Sequence, residues 1–353
     1  MMAEIHLGIS NGDRVSIPLF HTLIAGQTQL SGKTTTIKAL APEASEVEDV
    51  SVLIFDTKPT GQEYPEYPQI PVCYQHTTDS LVLMGLLESI FRRRLTPYYS
   101  TLNRLTDNAQ TLEDMRSNAV KMEETARSGF VKDACHTLAD LLRRLIAEIE
   151  GIEMVPILVS RKGVHVMAIN RLSIEAQQLV LKTAFEQGIR GSNHANKIFI
   201  IDESWRFLPE GYSSACKRAV QDMITQGAKT KRFVWLATQF LAPTDKDPLK
   251  GMPLKLLGRQ DHTTEIEHTL KLIPEGKRTY QPEDIMRLKK GEFIYVNMEG
   301  YAKKVYVTPP WERQIEQLAR APGLDEVTQV AEDDSEFWLG VSARLERLEA
   351  KVK

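Results

Sequence analysis

Lys33 and Thr34 close a stretch rich in glycine and hydroxyl residues, Gly26-Gln27-Thr28-Gln29-Leu30-Ser31-Gly32-Lys33-Thr34-Thr35-Thr36. A tight loop of this kind turns successive backbone N–H groups inward, where they and a lysine ammonium can cradle phosphates. The hydroxyl after the lysine can ligate Mg²⁺, and the following helix turns its positive end toward the anion. An apolar run (Leu19, Phe20, Leu23, Ile24) precedes the loop and the helical pattern Ile37-Lys38-Ala39-Leu40 follows it, so the context is strand, loop, helix. Five residues lie between Gly26 and Gly32, one more than the usual spacing. Either the loop bulges near Gln29-Leu30 or a non-glycine, Gln27, takes the first turn. The rest of the chemical set favours the bulge, with Gly32, Lys33 and Thr34 in normal geometry and the distortion in Gln27 to Leu30.

Two further stretches belong to that set. Lys197-Ile198-Phe199-Ile200-Ile201 is a strand pattern that ends in Asp202-Glu203. A carboxylate there can bind Mg²⁺ or its waters, and a neighbouring one can polarise an attacking water. Phe233 to Thr238 is another apolar strand ending in Gln239, whose amide can hydrogen-bond a γ-phosphate or the water. His262 and His268 flank Glu265 in a polar helix without any recognised zinc spacing, and they read as a solvated face.

The elements that must position these residues alternate. Residues 4 to 19 form a β lead-in around Asn11-Gly12, a favoured hairpin turn. Val50 to Phe55 is a buried strand that ends at Asp56 and the Lys58-Pro59-Thr60-Gly61 breaker cluster, which has the look of a functional loop. A helix is expected from Leu81 to Leu95, ending in Arg92-Arg93-Arg94 before Pro97. Residues 98 to 150 are polar, with a helical stripe at Leu138, Leu141, Leu142, Leu145, Ile146 and Ile149, and read as a helical insertion. Strands follow at Met154 to Ser160 and Val164 to Ile169, with Arg161-Lys162-Gly163 as a hairpin turn. Ser173 then caps a helix that closes near Gly188, and a further helix leads to Gly227. Ile285 to Val307 reads as a helix and two strands turned at Glu299-Gly300, ended by Pro309-Pro310. Past a polar linker (Asp325 to Glu336), Trp338, Val341, Leu345, Leu348 and Val352 form a short heptad-like seam, for docking on its own domain or for assembly. Strands alternating with helices imply an α/β fold with a largely parallel sheet, whose sites lie at the carboxyl ends of the strands. The expected divisions are residues 1–91, an insertion at 92–151, the remainder of the domain at 152–312, and a linker with a C-terminal amphipathic helix at 313–353.

A length of 353 residues is ample for a buried core, and 42% hydrophobic with 26% charged residues describes a soluble globular chain. The net charge of −3 carries no global nucleic-acid signature, so any such contact must come from local patches or a ring. Arg92-Arg93-Arg94, Lys289-Lys290 and Lys303-Lys304 are the candidate patches. Cys73, Cys135 and Cys216 are widely spaced and odd in number, which argues against a disulfide framework or structural zinc and fits a reducing cytoplasm. No apolar run approaches the roughly 20 residues of a membrane span.

Taken together, Gly26-Gln27-Thr28 leading to Ser31-Gly32-Lys33-Thr34, then Ile200-Ile201-Asp202-Glu203-Ser204-Trp205, then Leu236-Ala237-Thr238-Gln239 resemble the HerA–FtsK superfamily of ring-forming P-loop ATPases, nearest its HerA-like and conjugation-type branches. Phe55-Asp56-Thr57-Lys58, Ile169 to Gln178 and Leu288 to Ile294 add supporting matches, so the resemblance spans residues 18 to 308. It implies a RecA-like P-loop NTPase fold of the additional-strand, catalytic-glutamate type. It also implies ATP and Mg²⁺ as cofactors. The nucleotide would be held by Gly26, Thr28, Ser31, Gly32, Lys33, Thr34 and Thr35. Thr34 and Asp202 would hold the metal, Glu203 would be the base, Gln239 the γ-phosphate sensor and Lys33 a catalytic cation. Family members often carry Gly-Arg-Lys before the Ala-Thr-Gln strand; here the stretch is Gly227-Ala228-Lys229. A cation acting across a subunit boundary would then have to be Lys229, Lys231, Arg232 or Arg259. The N-terminal β-barrel of HerA proteins has no counterpart in the short lead-in.

The implied function is a hexameric ATPase that threads double-stranded DNA through a channel without sequence preference, in end-processing with a nuclease, conjugative transfer or genome packaging. The contrasting function is an NTP-dependent switch or assembly scaffold that binds a protein partner and moves no DNA. Glu203 and Gln239 weigh against the switch, which needs less hydrolytic apparatus.

Overall fold

The computed structural model describes residues 3–47, 50–58, 63–74, 80–91, 93–107, 109–150, 152–154, 162–190, 197–211, 215–274 and 279–319. The chain starts with a hairpin, β1 (Glu4–Ser10) and β2 (Asp13–Pro18), and both turn residues, Asn11 and Gly12, have positive φ as a type I′ turn requires. β3 (Thr22–Ala25) leads through the glycine-rich loop into α1 (Lys33–Glu46), and β4 (Ser51–Asp56) follows. Next come β5 (Cys73–Tyr74), α2 (Ser80–Phe91), α3 (Tyr99–Thr106), α4 (Leu112–Thr125), α5 (Gly129–Glu148) and β6 (Glu153–Met154). β7 (Gly163–Ala168) and α6 (Ile174–Arg190) precede β8 (Lys197–Ile201), α7 (Ala215–Gln226) and β9 (Arg232–Thr238). The unit closes with α8 (Lys246–Lys250), β10 (Leu254–Gly258), α9 (Thr263–Lys271), α10 (Pro282–Met286), β11 (Glu292–Val296) and β12 (Ala302–Val307).

Ten strands form one sheet in the order β2-β1-β12-β11-β10-β3-β9-β8-β4-β7. From β10 to β7 every pair is parallel, whereas β10 to β2 run antiparallel in turn. β9 lies between β3 and β8, which is the additional-strand arrangement. Both faces of the parallel part are covered, so its strands are apolar at consecutive positions rather than alternating. Leu23, Leu53, Phe55, Phe199, Ile201, Val234 and Leu236 face one core cluster. Ile24, Val52, Ile54, Ile198, Ile200 and Trp235 face the other. Between α2 and β6 the chain forms α3, α4 and α5, and Thr111 and Asp114 form a reciprocal capping box at the start of α4. The α5 stripe of Leu138, Leu141, Leu142 and Leu145 is buried in the same cluster as the first sheet face. A second unit, Thr308–Lys353, contains α11 (Pro310–Ala319), in which Arg313 Nε donates to the Thr308 carbonyl at 2.7 Å.

Several expectations are corrected. β6 pairs with β5 in a separate two-stranded parallel sheet, and β7 pairs with β4, so β6 and β7 do not make a hairpin; residues 155–161 lie outside the described ones. α6 runs through Gly188 to Arg190, because that glycine serves packing: a Cβ there would stand 2.8 Å from the Phe199 ring. α2 stops at Phe91, which leaves Arg93 and Arg94 outside the helix. The first unit ends at Val307, and α11, a helix absent from the sequence reading, opens on Pro310, as a proline with no N–H to satisfy suits the first turn. β10 was not foreseen; its Met252-Pro253 approach and five residues gave too short an apolar run to separate from a loop. The linker and seam from Asp325 to Val352 lie outside the described residues.

His21, before β3, is wholly buried against Phe20 and Phe233, and its Nδ1 accepts the Val234 N–H at 3.1 Å. Burial pushes its pKa from 6.5 down to about 4. The folded state therefore keeps the ring neutral; this contribution is present above pH 6.5 and is lost as pH falls toward 4. The gap corresponds to about 3 kcal/mol. Urea unfolding of wild type and His21→Gln, compared at pH 7.5 and pH 4, should show the wild type losing about that much more stability than the variant.

Candidate functional site

Because β3, β9, β8 and β4 are parallel neighbours, their carboxyl ends open on one edge of the sheet. That edge gathers the glycine-rich loop after β3, Gln239 after β9, Asp202-Glu203 after β8, and Asp56-Lys58 after β4. The loop is pinned at both ends: Gly26 N–H donates to the Thr238 carbonyl at 3.1 Å, Gln27 N–H to the Arg259 carbonyl at 2.8 Å, and Gly291 N–H to the Ser31 carbonyl at 3.1 Å. Ser31 Oγ and N both donate to the Gln27 carbonyl, at 2.9 and 3.2 Å. Gly26 has φ 156°, and a Cβ on it would fall 2.6 Å from Ser31 Cβ. Gly32 has φ 82° and caps α1, so Lys33 and Thr34 are its first residues. The only non-glycine with positive φ in the loop is Gln29, at 65°. The distortion thus lies between Gln27 and Leu30, and Gln27 itself keeps ordinary backbone.

Lys33 is buried and its Nζ reaches back across the loop to the Gly26 carbonyl at 2.7 Å. Burial lowers its pKa, and the Glu203 and Asp202 carboxylates only partly oppose this. Asp202 has none of its surface exposed. Its Oδ2 takes the Tyr64 hydroxyl at 3.0 Å and faces Lys58 Nζ at 3.2 Å, while Oδ1 takes the Glu203 N–H at 3.0 Å. Lys58 Nζ also donates to Thr34 Oγ1 at 2.9 Å, and Glu63 Oε1 stands 3.8 Å away. Burial alone would lower the Lys58 pKa; Asp202 and Glu63 outweigh it and hold it above its ordinary value.

Lys58 is the site residue whose role the sequence did not assign. The lysine after a strand-end Asp in a breaker cluster was the available signal, and nothing in the spacing told that its ammonium would fold back onto Asp202. The Thr34 hydroxyl and Asp202 carboxylate fit Mg²⁺: both are hard oxygen donors, and both already converge on a cation. Among the described residues no group of three or more His, Cys, Asp or Glu side chains could hold a metal alone.

Glu203 sits at φ 54° between β8 and a 3₁₀ turn, Ser204–Arg206, so its side chain leaves the strand direction. It is buried, and Trp205 Nε1 donates to its Oε2 at 2.9 Å. Burial and the Asp202 charge raise its pKa; Lys33, the Trp205 bond and Lys58 act against them. Gln239 Oε1 takes the Thr28 hydroxyl, which ties the end of β9 to the loop. Glu265, read from sequence as part of a solvated face, is instead buried and accepts the Leu241 N–H at 2.6 Å and the Ala242 N–H at 3.2 Å, which braces the segment after Gln239. His262 is exposed and His268 half-buried, and among the described residues neither belongs to a group of three or more side chains that could hold a metal. Thr35 lies half-buried in the first turn of α1.

The four boundary-cation candidates divide. Lys229 and Lys231 are exposed at the start of β9, the edge opposite Gln239. Arg232, the first residue of β9, is buried. Arg259 lies beside its own chain's loop, its carbonyl taking Gln27 N–H and its guanidinium paired with Asp261 at 2.9 Å.

No family model matches the sequence, and no curated protein matches it. Among solved structures, VirB4 of Thermoanaerobacter pseudethanolicus superposes with a TM-score of 0.66 at 15% identity, covering 88% of this chain and 98% of that one. The bacterial conjugative coupling protein TrwB superposes with a TM-score of 0.52 at 13% identity, covering 82% of this chain and 85% of that one. Both are HerA–FtsK-type P-loop ATPases, and the chain has their fold, a mixed α/β architecture on a mostly parallel central sheet.

A raised Glu203 pKa makes the ionised carboxylate a cost to folding. That cost is absent below the ordinary carboxylate range near pH 4 and grows as pH rises through the raised value. Glu203→Gln should therefore be more stable than wild type at pH 8, measured by urea midpoint, and the difference should vanish on acidification to pH 4.

Proposed function

We propose that the chain is an ATP-driven motor that translocates DNA, working as a homohexameric ring. The observation that carries this reading is the under-compensated charge of Lys33. Its ammonium is buried against the loop with the Gly26 carbonyl as its hydrogen-bond acceptor, and its pKa is lowered by burial. Such a cation is completed by an anion, and a triphosphate fits the loop, the lysine and the helix start. Asp202, Glu203 and Gln239 on the same edge add what hydrolysis needs beyond binding.

In this mechanism Lys33 and the loop amides hold the β- and γ-phosphates, and Thr34 with Asp202 would hold Mg²⁺, which supplies charge neutralisation when bound. Glu203 Oε1 takes a proton from water while Trp205 holds Oε2. The Gln239 side-chain amide, which takes the Thr28 hydroxyl while Gln260 Nε2 donates to the Gln239 backbone carbonyl, orients that water. A ring would set each site against a neighbour, and Lys229 or Lys231, exposed on the far edge, would supply the cation there. Arg232 is too buried for that role, and Arg259 is better placed to act within its own subunit.

DNA would meet local basic surface. Arg93, Arg94, Lys289, Lys290 and Lys303 are exposed, whereas Lys304 is paired with Glu292 at 3.2 Å. The likeness to VirB4 and to a conjugative coupling protein favours DNA transfer as the setting over end-processing with a nuclease. No helix among the described residues is long and apolar enough to cross a membrane; we place the motor in the cytoplasm.

Three measurements test the reading. ATP turnover, followed with and without double-stranded DNA on protein of measured mass, should rise with DNA and accompany a hexamer; a monomer whose turnover ignores DNA would sink it. Glu203→Gln should lower kcat by about 10²–10⁴-fold with nucleotide affinity retained, whereas Lys33→Ala should lose nucleotide binding. DNA affinity should fall steeply with salt and show little sequence preference.

A further inference from the structure

The ammonium of Lys58 stands where two oxygens suited to a divalent metal converge. It is 2.9 Å from Thr34 Oγ1 and 3.2 Å from Asp202 Oδ2, while Mg²⁺ bonds oxygen at about 2.0–2.1 Å. A metal bound to both oxygens would overlap that ammonium, and two adjacent cations in a buried site repel strongly. Lys58 and the metal are therefore alternatives.

A second seat for the lysine is built in. Asp56 is buried at the end of β4, and its two oxygens take the backbone N–H groups of Lys58, at 3.3 Å, and of Glu63, at 2.9 Å. One carboxylate thereby fixes the backbone of both the lysine and Glu63, whose Oε1 lies 3.8 Å from Nζ. Lys58 can leave Asp202 for Glu63 by a side-chain rotation, without carrying the strand end with it.

We propose that Lys58 is a specificity-determining residue for metal loading, a resident cation that keeps Asp202 neutralised and excludes the free divalent ion. This rests on the nucleotide-binding reading of the site. A free ion would have to displace Lys58 for two protein oxygens. A metal–nucleotide complex brings enough negative charge to accommodate both cations, so it displaces Lys58 toward Glu63 and the phosphates. The site takes the complex and refuses the bare metal.

The test is Mn²⁺ titration of the full chain without nucleotide, with free Mn²⁺ read by its paramagnetic resonance signal. Wild type should bind Mn²⁺ at this site only when a non-hydrolysable ATP analogue is present. Lys58→Met should gain nucleotide-free Mn²⁺ binding at least tenfold tighter than wild type, and adding Asp202→Asn to it should abolish the gain. Lys58→Gln, which keeps a hydrogen-bonding side chain for Asp202, should show the same gain and stands in if the methionine variant does not fold. Lys58→Arg should continue to exclude the ion. Equal nucleotide-free Mn²⁺ affinity in wild type and both neutral variants would overturn the proposal, as would a gain that survives Asp202→Asn. The variant comparisons use no nucleotide and no turnover, so wild type that bound no ATP analogue would refute the motor reading while the nucleotide-free comparison still decided Lys58.

Discussion

A carboxylate with no exposed surface needs a cation, and Asp202 is that carboxylate. Taking such a charge out of water costs several kcal/mol even after relaxation, unless ion pairs and hydrogen bonds compensate. Here the compensation comes from three parts of the chain: Lys58 after β4, Tyr64 beyond it, and the Glu203 amide after β8. The two lysines of the site then differ for a reason of position. Lys58 touches the carboxylate directly, and attraction outweighs burial. Lys33 lies deeper in its loop against a carbonyl, and burial outweighs attraction. The Thr34–Asp202 pair is thus already supplied with a cation, while the Lys33 ammonium rests against a carbonyl oxygen.

This division explains why Glu203 leaves the strand. A left-handed backbone at a glutamate is uncommon and costs of order 1 kcal/mol or more. It aims the side chain into the cluster, where Trp205 Nε1 steadies it, and it lets the Glu203 amide serve Asp202. The edge-on contact of Trp205 with Phe240, with ring centres 5.3 Å apart, links this carboxylate to the residue after Gln239. That segment is itself fixed: Thr238 Oγ1 and Thr244 Oγ1 donate to the Phe240 carbonyl, Glu265 takes two amides, and Lys246 Nζ donates to the carbonyls of Leu241, Ala242 and Thr244. Glu203 and Gln239 are held by one braced structure.

The parallel core was legible because strands buried on both faces read as unbroken apolar runs, as β4, β8 and β9 do, and because the site residues stand directly at their ends. What failed was contact at a distance. Gly188 looked like a helix stop, yet its reason is the Phe199 ring on a neighbouring strand. Glu265 looked solvated, yet the amides it serves lie more than twenty residues away. Lys58 stood in view as part of a loop, but its partner Asp202 is distant in sequence. Local periodicity reports which face of an element is apolar; it is silent on which polar side chain the fold will bury.

The extra residue in the glycine-rich loop follows the same logic of fixed ends. Gly26 and Gln27 are held by backbone bonds to β9 and to the residue after β10, and Ser31 by Gly291 at the start of β11. Gly258 must be small, since a Cβ there would fall 2.8 Å from Ser31 Cβ, and a Cβ on Gly32 would lie 3.3 Å from Gly291 N. The floor of the loop is therefore β10 and the β11 turn, packed too closely to admit an insertion. Thr28 and Gln29 are exposed. An added residue has room only there, and the left-handed turn at Gln29 takes it up while Gly32, Lys33 and Thr34 keep their place at the head of α1.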